Sequence, residues 1–284
     1  MHCADGPAGV HEKPLTLRLH SPEVLNLARS LASAKTANDN YLPAMKLALG
    51  DPKPDDKHLT AFEENQSFLY ASTSCPVGGF HSRPRPGSPQ WVRRLIILKP
   101  SIFVVDDETF GLEVKIPIEW RLYSQNMPEI AGRRARIIEG GEELSCETLL
   151  PQRAACQLAR ESQGETESGR YFVKVIAPDT PTTTRFLHVL DASQGLPRRE
   201  VKSELNEEAG GWKLTILAEN RVFRLDLPPP HEGAGDIAIS TADGKTLLSR
   251  RLFPSGILPH GPEGARLLAL WDSDYRARTL QPGI

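Results

Sequence analysis

Trp91-Val92-Arg93-Arg94 and Trp120-Arg121-Leu122-Tyr123 hold the residue types in this chain best suited to chemistry. A guanidinium grips a carboxylate or sulfate through parallel N–H donors, and an aromatic face covers the apolar side of a pyranose. Neighbours on a strand point to opposite faces. Trp91, Arg93 and Leu95 therefore share one side, and Val92, Arg94 and Ile96 the other, so only one of the two arginines can face a shared groove. By the same rule Trp120 goes with Leu122, and Arg121 with Tyr123. The plainer reading of this pattern is a sheet edge with a surface salt bridge. Tyr123 has the chemistry of an acid or base, yet tyrosines in strands are mostly structural. In Gly78–Pro89, His81 stands beside Arg83 and Arg85, where the group either meets an anion or lies in a solvated loop. Arg94, Trp120, Tyr123 and His81 are the candidate ligand contacts.

Other chemistry is poorly represented. The chain lacks GxSxG, a Walker loop, GxGxxG after a strand, HExxH and DxDxDG. Asp106-Asp107-Glu108 has no second ligand group at a recognisable spacing, and reads as a solvated acidic turn that ends a strand rather than a cation site. Cys3, Cys75, Cys146 and Cys156 form no CxxC pair, which argues against a zinc ribbon. Unpaired buried thiols are favoured over a Cys146–Cys156 bridge. His188 falls within a strand, where a core or sheet-face role is expected. No metal or cofactor is expected.

The elements that must position these residues are mostly strands. Leu95–Leu98 and Ile102–Val105, joined by Lys99-Pro100-Ser101, read as a β-hairpin, and a third run covers Ile116–Ser124. Upstream, strands are expected near 59–63 and 67–73. Downstream they are expected at Ala135–Ile138, Glu143–Leu149, Tyr171–Ile176, Arg185–Asp191, Trp212–Ala218, Arg221–Leu227, Asp236–Ser240 and Leu247–Leu252. Ala242-Asp243-Gly244 marks a hairpin. Ser21-Pro22-Glu23 starts the one clear helix, near 22–37, with Ser21 as N-cap and Val24, Leu25, Ala28 and Leu31 as its apolar stripe. Many short strands with turns between them predict a mainly β fold, an antiparallel β-sandwich with one short N-terminal helix. The expected organisation is an irregular N-terminal segment carrying that helix over 1–57, a sandwich over 58–253 and a Pro/Gly-rich tail over 254–284.

The 284 residues carry 34 Lys and Arg against 36 Asp and Glu. That balance offers no net field for a nucleic acid. No apolar run is long enough to span a membrane, and the first residues read as no signal peptide.

The run Arg94-Leu-Ile-Ile-Leu-Lys-Pro-Ser-Ile-Phe-Val-Val-Asp-Asp107, followed by Glu119-Trp-Arg-Leu-Tyr123, resembles the carboxyl-terminal β-sandwich of the heparinase II/III-like polysaccharide lyases. Leu59–Glu64, Met127-Pro-Glu-Ile130, Leu149-Leu-Pro151 and Arg185–Asp191 fall in the same order, so the resemblance spans residues 58–252. It implies β-elimination on uronic-acid polysaccharides such as glycosaminoglycans or alginate. That reaction needs carboxylate neutralisation, a base and an acid. In intact members a helical toroid supplies much of this, and the sandwich closes the cleft.

This chain departs from that pattern. It has one helix before the strands and no toroid, and Tyr123 stands where many relatives have a histidine, so no catalytic residue carries over. The resemblance implies an accessory or truncated module, inactive alone, whose partners are an acidic polysaccharide and a toroid supplied elsewhere. The alternatives are an active lyase with a rearranged site built from Tyr123, Arg94 and His81, and a purely structural sandwich. Intact relatives are exported, which leaves the localisation of this chain open.

Overall fold

The computed structural model describes residues 15–33, 47, 58–76, 90–112, 117–161, 171–178, 182–193, 200–230, 232–233 and 235–252. The described elements begin with β1 (Leu15–His20) and α1 (Ser21–Ser33), then β2 (His58–Glu64), β3 (Phe68–Pro76), β4 (Gln90–Leu98), β5 (Ile102–Phe110) and β6 (Ile118–Ser124). It continues through β7 (Glu129–Ala131), β8 (Arg134–Glu139), β9 (Glu142–Leu150), β10 (Gln157–Arg160), β11 (Tyr171–Ile176) and β12 (Thr184–Ser193). The last strands are β13 (Val201–Glu208), β14 (Gly211–Ala218), β15 (Arg221–Leu227), β16 (Asp236–Thr241) and β17 (Thr246–Arg251).

These strands form three sheets. The first has the order β1-β6-β11-β10, the second is eight-stranded with the order β2-β3-β4-β5-β12-β9-β8-β7, and the third runs β13-β14-β15-β16-β17. The pairings are antiparallel, apart from β1 on β6, which is parallel with Leu15 opposite Ile118.

The eight-stranded sheet is the middle layer. One face packs on the first sheet through Leu95, Phe103, Phe186 and Leu190 against Leu17, Trp120, Leu122 and Val173. The other packs on the third sheet through Ile96, Val104 and Leu187 against Leu214, Ile216 and Leu225. A strand covered on both sides reads as a continuous apolar run rather than an alternation. This explains Leu95–Leu98 and Ile102–Val105, which are buried throughout.

The expected stripe of α1 is real. Val24, Leu25 and Ala28 are buried with Leu27, and Leu31 packs against them. The helix closes one end of the gap between the first two sheets, touching β1 and β6 on one side and β9 and β12 on the other. Ser21 opens the helix, with its hydroxyl donating to Glu139 at 2.9 Å.

Tyr171–Ile176 and Arg221–Leu227 have the expected bounds, and the other expected strands shift by a residue or a few. Leu15–His20, read as irregular, becomes a strand because β6 offers it an edge. β7, β10 and β13 are short or polar strands that the apolar pattern does not reveal. The acidic run also needs correction. Asp106, Asp107 and Glu108 lie inside β5, at 0%, 0% and 3% exposure, rather than in a solvated turn. Arginines on neighbouring strands neutralise the two aspartates there. The loop with His81, and the tail from 253 onward, lie outside the described residues.

Candidate functional site

Cross-strand register puts Arg93 opposite Asp107 and Arg94 opposite Asp106. The pleat then sends the two pairs to opposite faces. On the face toward the first sheet, Arg93 donates to Asp107 through Nε at 2.7 Å and Nη2 at 2.8 Å. Asp107 also accepts from Trp91 Nε1 at 3.2 Å and Trp120 Nε1 at 3.0 Å. Arg93 Nη1 reaches the carbonyls of Arg18 and Leu47. On the face toward the third sheet, Asp106 accepts from Arg94 and Arg185. Burial pushes the Asp106 carboxyl up, but the Arg185 and Arg94 guanidiniums outweigh it and hold the group below its ordinary value. Arg94 also donates to the carbonyls of Pro228 and Gly233, and Arg185 to that of Leu227. The two networks fasten the outer layers to the middle sheet.

Arg94 is therefore 1% exposed, with its fork engaged inside the protein, and Trp120 is 0% exposed. Neither reaches a surface where a ligand could meet it, which corrects the expectation drawn from residue type alone. Trp120 stacks on His188 with ring centroids 3.6 Å apart, and His188 Nδ1 lies 3.2 Å from Thr148 Oγ1. Thr148 Oγ1 is in turn 3.4 Å from Cys156 Sγ. Burial, with the nearby Arg93 charge, lowers His188 to about 3. Cys146 and Cys156 are free, buried thiols, and burial raises both.

Tyr123 has a different setting. It lies on the outer face of the first sheet, away from Trp120 and Leu122. Register aligns Arg18, Arg121 and Lys174 in one row across β1, β6 and β11, and His20, Tyr123 and Phe172 in the next. Arg121 sits over the Phe172 ring at 4.6 Å and Arg18 over the Tyr123 ring at 5.8 Å. His20 stacks on Tyr123 at 5.1 Å. Tyr123 and Phe172 are 3% and 6% exposed, so the rings support the cations rather than offering open stacking faces. Arg121 also pairs with Glu119 at 2.6 Å. Arg18 is exposed and Lys174 half-buried. Adjacent strands are about 4.8 Å apart, so the row spaces its cations regularly, with the central Arg121 already paired to Glu119 and Arg18 the exposed one. Residue types in one strand suggested Tyr123, but only the parallel β1–β6 pairing and the β6–β11 pairing bring Arg18 to its ring and Lys174 opposite Arg121.

The structure does not bring Arg94 and Tyr123 together. Arg94 points toward the third sheet, and Tyr123 lies beyond the opposite core. Among the described residues no three His, Cys, Asp or Glu side chains gather as metal ligands, and no helix is long and apolar enough to cross a membrane.

Fold and surface together define a layered β-sandwich protein with a cationic row on one outer sheet. No family model matches the chain, and no curated protein matches it. Among solved structures it is similar to heparan sulfate lyase HepC from Pedobacter heparinus, with a TM-score of 0.46 and 15% identity over 61% of this chain and 28% of that one. It is also similar to the heparinase III BT4657 gene product, with a TM-score of 0.44 and 12% identity over 70% and 28% of the two chains. Another structure of heparinase III gives a TM-score of 0.42 and 12% identity over 69% and 27%. The chain thus spans less than a third of the length of these structures.

Proposed function

We propose that this chain is a heparinase II/III-like β-sandwich module that engages acidic polysaccharide and has no lyase activity of its own. The observation that carries the reading is the row Arg18–Arg121–Lys174, in which the Tyr123 ring braces Arg18 and the Phe172 ring braces Arg121. Bracing a guanidinium on a ring lowers the entropy lost when it pairs with a carboxylate or sulfate. The ordered motifs from Arg94 to Asp191 supply the family resemblance. The absence of lyase activity is supported by the separation of Arg94 from Tyr123. A helical toroid, in another part of the protein or another subunit, would supply the acid and base.

Affinity chromatography and calorimetry with heparan sulfate and with alginate test the binding. Binding that weakens at least tenfold in the Arg18→Ala/Lys174→Ala double variant is expected, with the fold unchanged. Equal binding by the variant overturns the assignment of this face, and no binding of the parent protein to any acidic glycan favours a purely structural sandwich. Ultraviolet absorbance of an unsaturated uronate, appearing on incubation with the protein alone, would instead establish a lyase.

A further inference from the structure

The middle sheet has eight strands and the third sheet five, and among the described residues no strand fills the step between them. Among the described residues β13 is the edge strand of the third sheet, and beyond it the face of β7, β8 and β9 lines open space. A cleft of about 790 Å³ lies in this step. Its floor includes Arg134, paired with Glu147 at 3.0 Å, and Arg136, paired with Glu129 at 3.0 Å and Glu143 at 2.8 Å. Its wall is the start of β13, where the consecutive residues Glu200, Val201, Lys202 and Ser203 all line the cleft. Residues of alternating orientation can all do so because the strand's edge, with its outward N–H and C=O groups, faces the space.

Two further observations say what fits there. Val201 and Leu205 point toward the core but are only partly buried, as the last inward residues of a sheet that stops. One more strand would cover them. The edge strand is acidic: Glu200, at the cleft, and Glu204, Glu207 and Glu208 further along stand against Lys202, which pairs with Glu200 at 3.2 Å, while Lys213 of β14 pairs with Glu208 at 2.8 Å. Glu147 is tied to the wall by the Ser203 hydroxyl, so the floor and the edge form one structure.

We infer that the β13 edge accepts an extended, Lys- or Arg-bearing peptide segment as an added strand of the third sheet. Backbone hydrogen bonds along β13 would supply affinity that does not depend on sequence. Alternate side chains of the segment would cover Val201 and Leu205. Cations directly across from Glu204, and from Glu200 and Glu208 in exchange for their exposed pairs with Lys202 and Lys213, would set its charge preference, because opposite charges across a strand pair stabilise and like charges destabilise. The same rule disfavours a second copy, since pairing β13 with β13 juxtaposes acidic strands. An acidic polysaccharide is repelled by this edge, so the cleft is separate from the cationic row on the first sheet.

The probe is a labelled eight-residue peptide alternating Lys with Val, and its control replaces each Lys by Glu. Fluorescence anisotropy is recorded with the full chain, and amide hydrogen exchange with and without peptide. Saturable binding of the Lys peptide is expected, at least tenfold weaker for the Glu peptide and for Glu204→Lys/Glu208→Lys. New amide protection should map to Val201–Glu208. The charge-reversed variant lies on an exposed edge, and its thermal transition, compared with the parent, verifies folding. Equal binding of the two peptides, unchanged binding by the folded variant, or protection mapping elsewhere overturns the inference. So does sedimentation showing that β13 is occupied by a second copy.

Discussion

Arg93 and Asp107 face each other across β4 and β5 with two short hydrogen bonds, and both side chains are 0% exposed. Trp91 and Trp120 complete the shell around the carboxylate. The pair is enclosed on the side facing the first sheet, so removing one member strands the other charge without water.

Asp107→Ala is expected to cost about 3–5 kcal/mol, as for other broken buried pairs. The double change Arg93→Met/Asp107→Leu should recover much of that loss, because it leaves no unpaired charge. Urea unfolding of the two variants checks this; equal instability in both would show that packing rather than charge dominates here.

Acid should destabilise the fold before its carboxylates titrate. His188 is held near 3 in the folded protein, below its ordinary 6.5. The unfolded chain therefore takes up a proton as pH falls below 6.5 while the folded protein resists it. Stability from this group is complete above that value and drains at up to about 1.4 kcal/mol per pH unit on the way down. Asp106, held below its ordinary value, adds a loss in the same direction at still lower pH. Urea midpoints recorded from neutral to mildly acidic pH should slope downward in the parent and flatten in His188→Phe, which keeps a ring for Trp120 to stack on.

Gly235 adopts φ +91, and a Cβ there would collide with the backbone oxygen of Asp226. Gly235→Ala should lose more than about 2 kcal/mol, from the left-handed backbone and the clash together. Limited proteolysis should then open β16 and β17 while leaving the first sheet intact; cleavage spread evenly over the chain would show that the layers unfold as one.

Arg94→Lys keeps the charge but loses the planar fork that spans Asp106, Pro228 and Gly233. Faster hydrogen exchange is expected in β15 and β16, with acidic-glycan binding unchanged. A selective loss of glycan binding would return Arg94 to the ligand contacts.

The proposed polysaccharide binding should weaken with salt, since the cations in the row would exchange counterions for the polyanion. The slope of log affinity against log salt should become shallower in Arg18→Ala and again in Lys174→Ala, following the rule known for nucleic acids. Titrations at several salt concentrations read this directly, and an unchanged slope in both variants would place the contact elsewhere.

The sequence by itself determined most of the strands, the helix and the mainly β class, because alternation, dense apolar runs and turn residues are local properties of the chain; β1, β7, β10 and β13 were not among them. It also carried a signal for the third layer. Leu95–Leu98 and Ile102–Val105 are too continuously apolar for strands with one wet face, and they are buried on both sides. The fate of the charged residues was decided by tertiary structure. Arg93-Arg94 and Asp106-Asp107 look like surface groups until the β4–β5 register sets them opposite one another and two further sheets exclude water from them. Arg18 meets the Tyr123 ring, and Lys174 comes opposite Arg121, only because β1, far away in the chain, pairs in parallel with β6, and β11 pairs on its other side. A side chain's type fixes what it can bond, but whether it faces solvent or a buried counter-charge depends on strands brought together from distant parts of the chain.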